Sequence, residues 1–171
     1  MIFINIGSNL NSINGDRVYN LNKAINLIIL EKIKIIKSSS IYETPSYPNQ
    51  TNPKFLNVCL EIKTELEPHI LIDKFKYIEK KLKRTRGVKN QPRTCDIDII
   101  DYKKKIINNK KIITPHPRAH LRNFVLFPLS EISPNWIHPI INKKISFLIK
   151  KLNLKLRNEI TKIKESVTIE Q

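Results

Sequence analysis

The stretch Pro92-Arg93-Thr94-Cys95-Asp96-Ile97-Asp98-Ile99-Ile100 constrains the fold more than any other part of the chain. Its period-two alternation puts Cys95, Ile97 and Ile99 on one face of a short strand and Asp96 and Asp98 on the other. Carboxylates at i and i+2 of a strand stand roughly 6–7 Å apart and point the same way. Apolar residues flank both, which puts them at the edge of a core rather than on a solvated loop. Held there, the two like charges repel. A pair of Mg²⁺ ions would relieve the repulsion: hard cations take oxygen ligands, and metal pairs about 3.5–4 Å apart serve phosphoryl chemistry. Arg93, three residues before Asp96, is placed to hold a phosphate that such metals also hold. The plainer reading is an edge strand with solvated aspartates, and on this stretch alone it has a slight advantage.

With 171 residues the chain is long enough for one domain with a real core. Its longest apolar run, near Ile25–Leu30, falls far short of the roughly 18 residues a membrane span needs. No basic segment followed by an apolar stretch and cleavage site opens the sequence, so no secretory signal is expected. Cys59 and Cys95 lie in apolar strands without metal-ligand spacing, as reduced core residues of a cytoplasmic protein would. The formal charge of +16 suits nucleic acid, a membrane surface or a nucleotide. Yet the lysines are scattered among Asn and Ile, and a solvated lysine surface accounts for the charge better than a specific patch.

From the N-terminus, Ile2–Ile6 reads as a strand that breaks at Gly7-Ser8-Asn9. Asp16 is placed to cap a helix with the stripe Val18, Leu21, Ala24, Ile25 and Ile28. Ile33–Ser38 predicts a second strand. Ser39 to Lys54 contains Pro45, Pro48 and Pro53 and predicts a long loop of the kind that carries function. Phe55–Thr64 alternates, with Leu56, Val58, Leu60 and Ile62 on a core face. Phe55 and Asn57 share the other face, where a ring and an amide suit a flat heterocycle. Alone, a structural role for both has the better odds. Pro68 opens a helix with the stripe Leu71, Phe75, Ile78 and Leu82. That helix ends in a basic run leading to Arg84 and Arg86, which suits either the helix dipole or phosphates above Asp96 and Asp98. Glu79, one turn earlier, suits a ribose hydroxyl or Lys83 at i,i+4. A lysine-rich hairpin over Tyr102–Thr114 turns near Asn108-Asn109. His116, Arg118, His120 and Arg122 then project from a proline-stiffened segment, a set suited to an anion rather than a metal. Phe124–Ile132 predicts a short apolar helix, and Ile145, Leu148, Ile149 and Leu152 a last amphipathic stripe. The weaker pattern beyond predicts a domain over 1–152 and a loosely packed or partly disordered tail over 153–171.

Five segments in this order resemble the 6-hydroxymethyl-7,8-dihydropterin pyrophosphokinases of folate biosynthesis. They are Ile4-Asn5-Ile6-Gly7-Ser8-Asn9-Leu10, Ser39-Ser40-Ile41-Tyr42-Glu43-Thr44-Pro45, Phe55-Leu56-Asn57, Pro92-Arg93-Thr94-Cys95-Asp96-Ile97-Asp98-Ile99, and Pro115-His116-Pro117-Arg118 through Arg122-Asn123-Phe124-Val125-Leu126. The Pro-Arg-Thr-x-Asp-x-Asp and Pro-His-Pro-Arg motifs are specific together, and they reverse the odds stated for each piece alone. The resemblance implies an α/β (α+β) fold with an antiparallel, ferredoxin-like βαββαβ core, extended by a hairpin and C-terminal helices. It implies transfer of the β,γ-diphosphate of ATP, the co-substrate, to the pterin's hydroxymethyl oxygen. Asp96 and Asp98 would hold two Mg²⁺, and Arg84 and Arg93 would grip the transferring phosphates. Thr44, Pro45, Tyr47, Phe55, Asn57 and Phe124 would line the pterin site. Glu79, Arg86, Lys89, Ile99, His116 and Arg122 would surround the nucleotide. A monomer acting on small molecules, with no specific nucleic acid and no membrane partner, is expected.

The chain departs from the family pattern at Asn11, where a glycine is usual, and in Gly87-Val88-Lys89-Asn90-Gln91, which lacks the usual Trp-Gly. The rival class is an RNA-recognition module. That fold needs paired aromatics on its central strands, which Phe3 and Phe55 alone do not supply.

Overall fold

The computed structural model describes residues 1–83 and 91–169. Strand β1 (Ile2–Ser8) is followed by helix α1 (Arg17–Leu30) and strands β2 (Lys34–Ser38), β3 (Tyr42–Thr44) and β4 (Phe55–Lys63). Helix α2 (Pro68–Lys81) leads to strand β5 (Asp96–Tyr102) and the small hairpin β6 (Ile107–Asn108) and β7 (Ile113–Thr114). Helices α3 (Asn123–Ile132), α4 (Ile145–Lys151) and α5 (Leu154–Asn158) precede a short strand β8 (Thr161–Lys162). The main sheet runs β5-β1-β4-β3-β8, with β2 also on β4, and these pairings are antiparallel. Because β3 lies beside Phe55–Asn57 of β4 and β2 beside Leu60–Lys63, the two act as one interrupted strand. Counting them so gives the ferredoxin-like order of the βαββαβ unit.

One face of the sheet packs on α1 and α2. Ile2, Ile4, Ile6, Leu56, Val58, Leu60, Ile62, Ile97 and Ile99 meet Leu21, Ala24, Ile25, Ile28, Leu71, Phe75 and Ile78 there. Each such side chain contributes roughly 1.5–3 kcal/mol when fully buried. The Asp16 carboxylate accepts from the Tyr19 N–H at 2.8 Å and starts α1, and Pro68 occupies the first turn of α2, where its missing N–H has no cost. The other face is covered over only part of its length. Phe3, Cys59 and Ile100 lie under Val125, Leu126 and Leu129 of α3 and Ile145 and Leu148 of α4. Strand β4 is therefore buried on both sides, and Phe3 cannot stack on a base. Beyond the N-terminal end of α3, the same face presents Asn5, Gly7, Asn57, Asp96 and Asp98. The pairings Asn5–Asp98, Gly7–Asp96 and Gly7–Asn57 make them neighbours across three strands.

Two expectations change. Strand β1 continues through Gly7 and Ser8, because β4 and β5 flank it on both sides. The proline-rich stretch 39–54 contains β3, which pairs with both β4 and β8. The tail carries α5 and β8, and its Ile163, Val167 and Ile169 rest half-buried against the core.

Under the second face lies a polar cluster. Trp136 Nε1–H donates to Asp101 Oδ2 at 2.8 Å, and the His120 and His138 rings meet edge to face at 5.5 Å. His138 Nδ1 accepts from the Ile140 and Ile141 N–H groups at 3.2 and 3.3 Å, so protonating it there would break both bonds. Burial, then the neighbouring His120, hold its pKa below the ordinary 6.5, with Asp101 opposing. An unfolded chain binds this proton at higher pH than the folded one, so the stability is complete above 6.5 and is lost as pH falls below it. Melting temperatures followed from about pH 7 to about pH 5 should fall more steeply for wild type than for His138→Gln. Parallel curves would contradict this.

Candidate active site

Above the open part of the sheet face is a cavity of about 1060 Å³. One end is charged. Arg93 Nη1 stands 2.8 Å from Asp96 Oδ2, and Arg122 Nη1 stands 3.3 Å from Asp98 Oδ2. His116 Nε2 is 3.8 Å from the same Asp98 oxygen. Burial, then the cations Arg122 and Arg118, push the His116 pKa down to about 4. The ring is therefore neutral near pH 7; its Nδ1 accepts from the Arg118 N–H at 3.1 Å, and Arg122 Nη1 lies 3.3 Å from its Nε2. Burial also lowers the Arg122 pKa, with Asp98 opposing. The carboxylates remain half-exposed toward the cavity, at 26% and 35% for Asp96 and Asp98.

The other end is aromatic and neutral. Asn57 is buried; its Nδ2 donates to Thr44 Oγ1, and its Oδ1 accepts from Asn5 Nδ2, both at 3.4 Å. Bonds this long orient the amide without saturating it. Gly7 forms the floor: a Cβ there would stand 3.0 Å from Asn57 Oδ1 and 3.5 Å from the Phe55 ring. The two ends are joined through rings. The Arg93 guanidinium lies over Phe55 at 5.8 Å, and the Arg122 guanidinium over Phe124 at 5.3 Å.

Asn9 ties these parts together. It is buried, and its Oδ1 accepts from the Arg93 N–H at 2.7 Å. Its Nδ2 donates to Ser46 Oγ at 3.1 Å and to the Pro53 carbonyl at 3.0 Å. The backbone N–H groups of Asn9 and Leu10 both donate to the Arg93 carbonyl. One side chain thus fixes the segment carrying Arg93 against the loop that borders the aromatic end.

The structure gathers Thr44, Pro45, Tyr47, Phe55, Asn57, Glu79, Arg93, Asp96, Asp98, His116, Arg122 and Phe124 around this cavity. Tyr47 projects into solvent, 84% exposed. Ile99 is not among them. Its side chain is in the core beneath α2, because Ile97 and Ile99 alternate with the aspartates and take the opposite face. Glu79 lines the wall, and its Oε1 accepts from the Ile97 N–H at 2.9 Å, so it braces β5 instead of pairing with Lys83. His120 leaves its predicted anion-binding group for the buried cluster at His138, since the turn over Ala119–Leu121 carries it away from His116. Arg84, Arg86 and Lys89 lie outside the described residues. Arg118, of the predicted anion-binding group, also lines the cavity; sequence reasoning did not single out Asn5 or Gly7 as cavity-lining, nor Asn153, Lys155 and Glu159. Only the period-two partners of Phe3 pointed toward Asn5 and Gly7.

Residues 3–134 match the model of the family described as 7,8-dihydro-6-hydroxymethylpterin-pyrophosphokinase. The 2-amino-4-hydroxy-6-hydroxymethyldihydropteridine pyrophosphokinase of Bacillus subtilis is 41% identical over 76% of this chain and 76% of its own. The protein of the same name from Aquifex aeolicus is 39% identical, over 84% of this chain and 87% of its own. A folic acid synthesis protein of Pneumocystis carinii is 36% identical over 88% of this chain, which spans 20% of that longer protein. A crystal structure of Plasmodium falciparum HPPK-DHPS with pterin and p-hydroxybenzoate shares the fold, with a TM-score of 0.70 at 18% identity. That likeness covers 94% of this chain and 46% of the Plasmodium chain. Fold and cavity together define a ferredoxin-like α+β protein with a cavity over the uncovered part of its sheet. The chain belongs to the 7,8-dihydro-6-hydroxymethylpterin-pyrophosphokinase family.

Asn9→Ala leaves the Arg93 N–H and the Ser46–Pro53 loop without their partner. Each unpaired buried group costs roughly 1–3 kcal/mol. Urea unfolding should therefore show a loss of about that size; stability equal to wild type would remove Asn9 from this role.

Proposed function

We propose that this chain transfers the β,γ-diphosphate of ATP to the hydroxymethyl oxygen of 6-hydroxymethyl-7,8-dihydropterin, with release of AMP, in folate biosynthesis. The observation that carries this reading is the two-ended cavity. Paired carboxylates and guanidiniums at one end meet an aromatic-and-amide end within one space. The family relationship points to the same ATP-dependent diphosphotransferase chemistry.

The residues fit Mg²⁺. Asp96 and Asp98 offer hard carboxylate oxygens on one strand face. Among the described residues no group of three or more His, Cys, Asp or Glu forms a protein-only cage. Magnesium is ordinarily held by one or two carboxylates completed by substrate phosphates and water. Asp96 and Asp98 would hold two such ions, which when bound neutralise charge on the transferring phosphates. The rest falls to the chain. Arg93 and Arg122 now pair with the aspartates. Both guanidiniums lie where they would reach phosphate oxygens placed over Asp96 and Asp98, and fixed positive charge there would favour the transition state. Neutral His116 lines this end without adding charge. Phe55 and Phe124 sandwich the pterin ring, and Asn57 with Thr44 reads its donor and acceptor edge. Arg84, Arg86 and Lys89 complete the nucleotide side of this proposal. The nucleophile is a neutral alcohol, so positioning and charge neutralisation carry the rate, and no general base is assigned. The reading takes the protein as a cytoplasmic monomer; no helix among the described residues is long and apolar enough to cross a membrane.

Incubation with ATP, Mg²⁺ and the reduced pterin should yield one AMP per pterin consumed, and no ADP. Asp96→Asn and Asp98→Asn should each slow release about 100-fold or more, while the metal-free melting temperature changes little, because each substitution removes one carboxylate repulsion and one partly exposed ion pair with an arginine. ADP as product, or wild-type turnover in both variants, would overturn the reading.

A further inference from the structure

The segment after α4 reaches the cavity although it lies beyond the family match. It is anchored at both ends. Asn123 Nδ2, at the start of α3, donates to the Leu156 carbonyl at 2.7 Å and fixes α5 beside Phe124. Strand β8 then pairs with β3, Thr161 opposite Glu43 and Lys162 opposite Tyr42. Ile163 N–H donates to the Ile41 carbonyl at 3.0 Å, and Thr168 N–H to Asn22 Oδ1 at 2.9 Å. Glu159, at the end of α5 and two residues before β8, lines the cavity together with Pro45. The chain therefore bridges the gap between the Phe124 side and the Thr44–Pro45 side of the cavity, at its aromatic end. Asn153, Lys155, Leu156 and Glu159 line the cavity from this bridge. Lys155 Nζ stands 3.5 Å from Glu159 Oε1, with the carboxylate the more sheltered, at 27% against 67% exposed.

We infer that residues 153–162 form a third wall of the heterocycle end, with Glu159 as a polar contact for the ring, so that this segment determines affinity for the pterin and not for the nucleotide. The inference rests on the proposed function, which assigns the pterin to this end. A flat ring held between Phe55 and Phe124 leaves its edge toward the bridge, and a carboxylate there accepts from ring N–H and amino donors. Asp96 and Asp98 stand against Arg93, His116 and Arg122 at the charged end of the cavity, which separates the bridge's contribution from the phosphate chemistry.

Two measurements on the full chain test this. Calorimetry with the reduced pterin and, separately, with a non-hydrolysable ATP analogue compares wild type with Lys155→Ala/Glu159→Ala, which leaves Leu156 and β8 in place. Pterin affinity should fall about tenfold, the size of one lost polar contact, with nucleotide affinity unchanged. Hydrogen exchange of the wild-type amides over 154–162 should slow when pterin is added and not when the nucleotide alone is added. Unchanged pterin affinity in the double variant, an equal loss for both ligands, or exchange indifferent to pterin would each overturn the wall. A wild-type chain that binds no pterin would overturn the proposed function as well, and that result is read from the wild-type arm alone.

Discussion

Two carboxylates two residues apart on one strand cannot be left alone at the edge of a core. The repulsion between Asp96 and Asp98 must be met by positive charge, and the surrounding structure is arranged to bring it. Arg93 arrives from the segment before β5 and Arg122 from the segment before α3. Each guanidinium also lies over an aromatic ring, Phe55 or Phe124. Charge compensation at one end of the cavity and ring placement at the other are thus the same contacts. The arrangement balances both carboxylates within the cavity wall.

The sheet makes this possible by being covered unevenly. One face is sealed by α1 and α2 along the length of β1, β4 and β5. The other is sealed by α3 and α4 only over Phe3, Cys59 and Ile100. Where that cover ends, the alternation along three adjacent strands delivers Asn5, Gly7, Asn57, Asp96 and Asp98 to one concave surface. Glu79 braces β5 through the Ile97 N–H, and Asn9 holds Arg93 against the neighbouring loop. Rigid elements therefore set the floor, and buried polar side chains set the rims.

Much of the fold was legible because local patterns and packing agree. The stripe of α1 with its Asp16 cap, Pro68 at the head of α2, and the alternation of β4 and β5 stand as the residues suggest. Less was legible where partners are distant. Three-residue β3 exists because β4 and the remote β8 flank it, and no local signal in a proline-rich stretch announces that. The second cover on β4 was hidden because Asn57 and Glu61 break the apolar pattern on that face. Candidate site residues became legible through motif resemblance rather than periodicity: taken alone, Asp96 and Asp98 favoured a solvated edge. Ile99, named by the same resemblance, turns its side chain into the core. Asn9 and Glu159 had no pattern of their own, because their roles depend on contacts to segments far away in the chain.

The central claim is that the aspartate pair is a two-cation site completed by the nucleotide. Manganese, a spectroscopic stand-in for magnesium, can be counted by electron paramagnetic resonance with a non-hydrolysable ATP analogue in excess over protein. The account predicts two protein-dependent ions per wild-type chain and fewer in Asp98→Asn. The same number in both proteins would contradict it.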